Sequence, residues 1–405
     1  MVLACAAMAA PLQDIRVVEI ASYVAVPAAG ALLADLGADV VKVEVPRGET
    51  LRHALPRRLG YRHPLPEAPH FHMENRGKRS LALDLTRPGA REALARVVEQ
   101  ADIVLTNLLP KRLEKFGLDA ATLRAARPEL IFASLNGYGT SGAEANTPAF
   151  DYTAYWARTG LMDSMRDEGS PPAFLRPGVG DHAAALALVS GMLAALRTRD
   201  RDGVGQEIDV NLMHMGFYIN GNDACAVAST GIETPRHDGS RPRNPLWSHY
   251  GTADDRHVFL VMIDSQSYWP EFCRAIERPD LTDDERFADE VGRYRNSEEL
   301  TALIAGIFRG KPLAAWEAQL AGFNLIWSPT RTLGEALADP QAAEMAMLVE
   351  VEHEEAIRTV APPIHMSLHP MDGKRPGPAL GAHGEDILRE AGCSDDEIKA
   401  ALQTD

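Results

Sequence analysis

Residues 15–22, IRVVEIAS, form an almost unbroken apolar run of strand length. AGALLADLGA (29–38) follows with apolar positions at helical spacing and stops at Gly37. DVVKVEV (39–45) returns to the strand pattern. Runs that are apolar on both faces belong to buried parallel strands, so these segments predict one βαβ unit. SLALDL (80–85), DIVLTNL (102–108) and LIFASLNGYG (130–139) predict further strands, the last running into a glycine turn. PGAREALARVVEQA (88–101) predicts a helix with Pro88 in its first turn, and DAATLRAARP (119–128) a short helix capped by Asp119. This alternation predicts an α/β fold with a doubly wound parallel sheet.

DHAAALALVSGMLAALRTR (181–199) is the clearest helix, with Asp181 as its expected N-cap and Arg197 and Arg199 suiting its C-terminus. GVGQEIDVNLM (203–213) reads as a turn and a strand. The texture changes after about residue 218. TPRHDGSRPRNPLW (234–247) reads as a loop, HVFLVMI (257–263) as a strand and YWPEFCRAI (268–276) as the start of a helix. Residues 218–326 are therefore expected to form a smaller α+β domain, and residues 1–217 and 327–405 the large one. No internal repeat is visible.

Composition narrows the function. A net charge of −16 argues against nucleic-acid binding, and an anionic ligand needs a local basic patch. Cys5, Cys225, Cys273 and Cys393 are far apart with no CxxC pair, which excludes a zinc cluster and a disulfide framework. No apolar run is expected to span a membrane. The start, MVLACAAMAAP, lacks a basic region and is short for a signal peptide, so a frayed leader and a cytoplasmic protein are expected.

Several motifs resolve to plain readings. The turn 22-SYVAVPAAG-30 has no GxGxxG, so Glu44 is expected to be a strand-end carboxylate rather than a ribose ligand. His70 and His72 would share one side of a strand but lack a third ligand, so no metal is expected. No HExxH, GxSxG or Walker A pattern occurs. NRGKRSLALDL (75–85) and the group Lys111, Arg112 and Lys115 are basic stretches next to predicted strands, which suit a phosphorylated ligand and equally an ordinary solvated face. Asp151 stands between Phe150 and Tyr152, after the glycine loop 136-NGYGTSG-142. A carboxylate in such a setting is costly unless it is paired, capping or in use.

These blocks occur in a recognisable order. AGALLADLGADVVKVE, NRGKRSLALDL, ADIVLTNLLP, LIFASLNGYGTSG, PAFDYTA, GDHAAALALVSGMLAAL, GVGQEIDVNLM and ADPQ together resemble the class III CoA-transferases, over almost the whole chain. The resemblance implies a Rossmann-like large domain, a small domain and an interlocked homodimer, with a pair of related chains as the alternative assembly. It implies transfer of CoA from an acyl-CoA to a free carboxylic acid, with Asp151 as the nucleophile and no permanently bound cofactor. Its CoA contacts fall on Ser22, Tyr23, Val24, Leu83, Asn107, Lys115, Asn136 and Tyr138. Dipoles of the Gly137–Gly142 loop are expected to keep Asp151 charged. The racemases of the same fold place a His before the matching Asp; Phe150 stands there, which favours the transferase. A nicotinamide oxidoreductase is the remaining alternative and lacks its glycine triplet. The bulky loop 243-RNPLWSHYG-251 and Val24, where the family has Gln, point away from formate and oxalate toward a larger apolar or aromatic acid.

Overall fold

The computed structural model describes residues 9–53 and 68–402. Most of the apolar leader, Cys5 included, lies outside the described residues. The chain divides into two compact units. One comprises Met1–Met162, Phe174–Ile232 and Pro340–Asp405; the other comprises Asp163–Ala173 and Glu233–Asp339.

In the first unit six strands form one sheet. They are β1 (Arg16–Ile20), β2 (Asp39–Glu44), β3 (Arg79–Ala82), β4 (Ile103–Thr106), β5 (Ile131–Asn136) and β6 (Glu207–Asn211). Their order is β3-β2-β1-β4-β5-β6, and every pair is parallel. This is the doubly wound order, with its switch point between β1 and β4. The principal helices are α1 (Ala25–Asp35), α2 (Pro69–Asn75), α3 (Pro88–Glu99), α4 (Pro110–Phe116), α5 (Ala120–Ala126), α6 (Val179–Asp202), α7 (Leu212–Ile219), α8 (Gly384–Glu390) and α9 (Asp395–Leu402). One sheet face packs Val17, Leu105 and Ala133 against Leu33 of α1 and Leu188 and Met192 of α6. The other packs Val18, Val41 and Val104 against Leu94 and Val97 of α3 and Leu388 and Ile398 of α8 and α9. Burial on both faces is why these strands read as continuous apolar runs. The local signals behave as their chemistry requires: Pro88 opens α3, and Asp119 caps α5 by accepting the Thr122 N–H at 2.9 Å.

The structure changes three local expectations. Helix α6 starts at Val179, not after an Asp181 cap: Gly178, at φ 82°, takes the cap and leaves Asp181 in the first turn. By length and composition α6 is long and apolar enough to cross a membrane, contrary to the expectation that no run would be; here it packs on α1, β5 and β6. His70 and His72 lie on helix α2, not on a strand, because Pro69 opens a helix there. Residues two apart on a helix do not share a face. Among the described residues no group of three His, Cys, Asp or Glu is arranged to hold a metal ion.

The second unit holds an antiparallel sheet of β7 (Trp247–Gly251), β8 (His257–Val261) and β9 (Trp327–Pro329). Its core gathers Trp269, Phe272, Phe308 and Trp316. The segment expected to be a bulky loop therefore ends in a strand. Tyr250 is a core residue of it: the ring stacks on Phe308 and the hydroxyl donates to the Pro245 carbonyl at 2.7 Å. Trp247 stays exposed.

Candidate active site

Asp151 is 2% exposed and lies at the start of a π-helical turn, Tyr152–Ala157. Such turns recur at functional sites. Its Oδ2 accepts the N–H of Gly178 at 3.1 Å and of Gly180 at 3.3 Å. These groups lie at the N-terminus of the 24-residue α6, where unpaired N–H groups and the helix dipole favour an anion. The sequence makes the approach possible. A Cβ on Gly180 would meet the Tyr155 ring at 2.6 Å, so only glycine lets α6 begin this close to the turn. The expected donors were those of the Gly137–Gly142 loop. That loop instead satisfies itself, the Gly139 N–H going to Asn136 Oδ1 at 2.5 Å. Burial raises the Asp151 pKa above its ordinary value, and the N–H groups of Gly180, Tyr152 and Gly178 act against that rise.

Two further ionisable groups lie on the first turn of α6. Asp181 is pushed up to about 7, by burial first and by the charge of Asp151 second. His182 Nε2 lies 2.9 Å from Glu74 Oε1, and that hydrogen bond raises its pKa.

The turn after β1 is held from below. Asn107, just beyond β4, grips Ser22 at both polar groups: its Nδ2 donates to the Ser22 carbonyl at 2.8 Å, and its Oδ1 accepts the Ser22 N–H at 3.3 Å. Tyr23 has φ +68° and donates its N–H to Glu49 Oε2 at 2.7 Å. Beneath it four buried charges pair. Lys42 Nζ lies 3.0 Å from Glu19 and 2.8 Å from Glu49, and Lys78 Nζ lies 2.7 Å from Glu19. A Cβ on Gly30 would strike Glu19 Oε2 at 2.0 Å, so a glycine in α1 makes room for the network. Burial works to lower the Lys42 pKa, but Glu19, Glu49 and Glu44 raise it overall. Burial lowers Lys78 to about 8, with Glu19 countering. Glu44 is a structural strand-end carboxylate. Burial works to raise its pKa, but the Arg52 guanidinium, 2.7 and 2.6 Å from its oxygens, holds it below the ordinary value.

A cavity of about 270 Å³ opens beyond the carboxyl ends of the strands. Ser22 and Leu83 line it, with Arg47 and Arg112 as cations and Glu44, Glu49 and Asp84 as acids. Of the other predicted contacts, Asn107 reaches it only through Ser22. Tyr23 touches Phe150 edge-on, with centroids 5.3 Å apart, and Val24 Cγ1 lies 3.7 Å from the Cβ position of Gly178. Both therefore flank Asp151. Asn136 is engaged within its own loop, and Tyr138 lies under the Arg158 guanidinium. Lys115 is exposed, its ammonium 5.6 Å from the Phe116 ring. Arg47, Glu49 and Gly178 carried no signal in the sequence, since nothing local marks them, and Gly180 showed only as the first residue of the block GDHAAALALVSGMLAAL.

A doubly wound α/β unit with a strand-end cavity and a buried Asp at a helix N-terminus fits an enzyme that acts on a nucleotide-linked ligand. The description "CoA-transferase family III" matches residues 12–384, and the chain belongs to that family. It is 30% identical to (R)-2-hydroxy-4-methylpentanoate CoA-transferase of Clostridioides difficile, over 96% of this chain and 97% of that enzyme. It is 30% identical to cinnamoyl-CoA:phenyllactate CoA-transferase of Clostridium sporogenes, over 95% and 94%. Among solved structures, a CaiB/BaiF family protein from Brucella suis superposes with a TM-score of 0.83 at 29% identity, covering 94% of this chain and 99% of that one. The protein is thus an enzyme that transfers CoA, and CoA thioesters are its substrates.

Proposed function

We propose that the enzyme moves CoA between carboxylic acids through covalent intermediates on Asp151. The observation that carries this is a buried carboxylate held by peptide N–H groups with no lysine or arginine paired to it among the described residues, which leaves its charge available for attack. Oδ1 attacks the acyl-CoA carbonyl, the C–S bond breaks, and CoA leaves as thiolate with the bonding pair. The product is an acyl-aspartyl anhydride. The thiolate attacks the aspartyl carbonyl, releasing the donor acid as carboxylate and leaving an aspartyl-CoA thioester. The acceptor carboxylate attacks that carbonyl and expels the thiolate. Attack of the thiolate on the acceptor acyl group then forms the new acyl-CoA and restores Asp151. No net proton is consumed. Low solvent exposure protects the anhydride from water.

The charged end of CoA is assigned to the strand-end cavity, where Arg47 and Arg112 meet its phosphates, with Lys115 at the outer end of α4. Arg112→Ala is expected to weaken CoA binding by roughly 1.5–3 kcal/mol, as loss of a charged hydrogen bond does. Calorimetry that ranks Lys115→Ala above it would reassign the contact. The acyl group is assigned to an apolar or aromatic acid. Tyr23 and Phe150 meet edge to face, and Tyr152 stacks on Phe174 at 5.6 Å, around Asp151. Relatives named for 2-hydroxy-4-methylpentanoate and phenyllactate support this reading, while others of similar identity are named for mesaconate and glutarate. An interlocked homodimer is the proposed assembly; the apolar residues exposed on α6 and α7, Leu186, Leu193, Tyr218 and Ile219, suit it.

The test is trapping. Acyl-CoA with hydroxylamine should leave a hydroxamate on Asp151 by mass spectrometry, and a label on another residue would overturn the assignment. Run in deuterated buffer, the same reaction should leave the acyl α-carbon unlabelled; uptake of deuterium would favour racemisation.

A further inference from the structure

We infer that Glu49 is a positioning residue for the nucleophile, holding the turn that flanks Asp151 in its working shape. The inference rests on Asp151 as the covalent residue. Tyr23 adopts φ +68°, a region that a residue with a Cβ occupies only when its surroundings enforce it. Two anchors enforce it: the Asn107 carboxamide on Ser22 and the Glu49 carboxylate on the Tyr23 N–H. Asn107 fixes the residue before the strained one, while Glu49 holds the Tyr23 backbone itself. Glu49 is in turn unable to swing, because its Oε1 is paired with Lys42, and Lys42 with Glu19. The whole chain of contacts lies inside one compact unit.

The strained turn is placed where it touches the catalytic loop twice. The Tyr23 ring abuts Phe150, the residue before Asp151. Val24 lies against Gly178, whose N–H holds Asp151 Oδ2. If Tyr23 relaxed to negative φ, its ring would leave Phe150, and Asp151 would lose one of its side walls. A shift of about 1 Å in a reacting group costs on the order of a hundredfold in rate. Glu49 does not touch Asp151, but it is an acid in the lining of the strand-end cavity, so its removal should slow acylation while CoA binds equally well or more tightly.

The experiment compares Glu49→Ala, Glu49→Gln and Tyr23→Ala in the full-length enzyme. It uses single-turnover formation of the Asp151 hydroxamate, a calorimetric Kd for CoA, and melting curves. Glu49→Ala should slow acylation about tenfold or more while the Kd for CoA moves less than about threefold. Glu49→Gln keeps an acceptor for the Tyr23 N–H but turns its NH2 toward Lys42, so it should recover part of the rate lost in Glu49→Ala. Tyr23→Ala leaves the ion network whole and removes the ring from Phe150. It should slow acylation about fivefold or more, and it carries the test if Glu49→Ala does not fold. Acylation in a folded Glu49→Ala or Tyr23→Ala at the wild-type rate, or a Gln variant no better than Ala, overturns this inference alone. A wild-type label away from Asp151 overturns the nucleophile assignment with it.

Discussion

Glu19 and Glu49 are buried with lysines, while Asp151 is buried and Asp181 half-buried without any. All four acids lie in the same compact unit. Beneath α1 each glutamate faces an ammonium at 3.0 Å or less, so charge is neutralised by charge. At the start of α6 the only compensation is peptide N–H groups and a histidine already engaged with Glu74. A carboxylate locked to a lysine is stabilised in its ground state and is a poor nucleophile. One held by dipoles keeps its charge while remaining free to bond to carbon. The difference separates a scaffold from a reaction centre, and each half can be broken separately.

The largest expected effect lies on the dipole-held side. Asp151→Asn should cut CoA transfer by about 10⁴-fold or more, since nothing else in the turn can form the anhydride. Stability should stay within about 1 kcal/mol of wild type or rise, because a buried charge is removed from a site kept for function. A thioester-exchange assay beside urea unfolding reads both. The lysine-held side should do the reverse. Lys42→Met leaves Glu19 and Glu49 with Lys78 as their only cation and should cost roughly 3–5 kcal/mol, the usual penalty for breaking a buried pair. A Lys42→Met unfolding curve matching wild type would show that the network is not the scaffold the geometry describes.

The sequence carries the parallel sheet openly, because strands buried on both faces leave mostly apolar runs such as VVEI and DVVKVE, interrupted at Glu19 and Lys42. Pro88 and Asp119 mark their helices by local chemistry alone. Asp151 stands out through the order of blocks around it, not through its own neighbours. The rest is hidden because its partners are distant. Glu19 looks like one polar position in a strand until Lys78, fifty-nine residues on, closes over it. The donors to Asp151 come from Gly178 and Gly180, beyond the whole intervening loop, while the nearer glycine loop satisfies itself. His70 and His72 mislead because alternation says nothing until Pro69 sets the helix.

The subtlest break concerns Asp181, the second acid at the dipole-held end. Burial, and then the charge of Asp151, push its pKa from an ordinary 3.8 to about 7. The folded protein thus holds this proton more tightly than the unfolded chain does. The stabilisation is fully present below about 3.8 and is lost as pH rises through about 7. Asp181→Asn carries no such proton, so wild type should lose stability against it between about pH 4 and 7, read as a urea midpoint that falls relative to the variant's. The same titration should mark the rate. Below about 7 Asp151 is the one negative charge of the pair; above it Asp181 is charged as well, where an acceptor carboxylate has to approach. Wild-type kcat/KM for the acceptor acid should fall about threefold to tenfold across that range, and Asp181→Asn should stay flat. A basic limb of equal depth in both proteins would mean that Asp181 does not face the incoming acid. It would then belong with the paired glutamates, as a structural acid at a helix start.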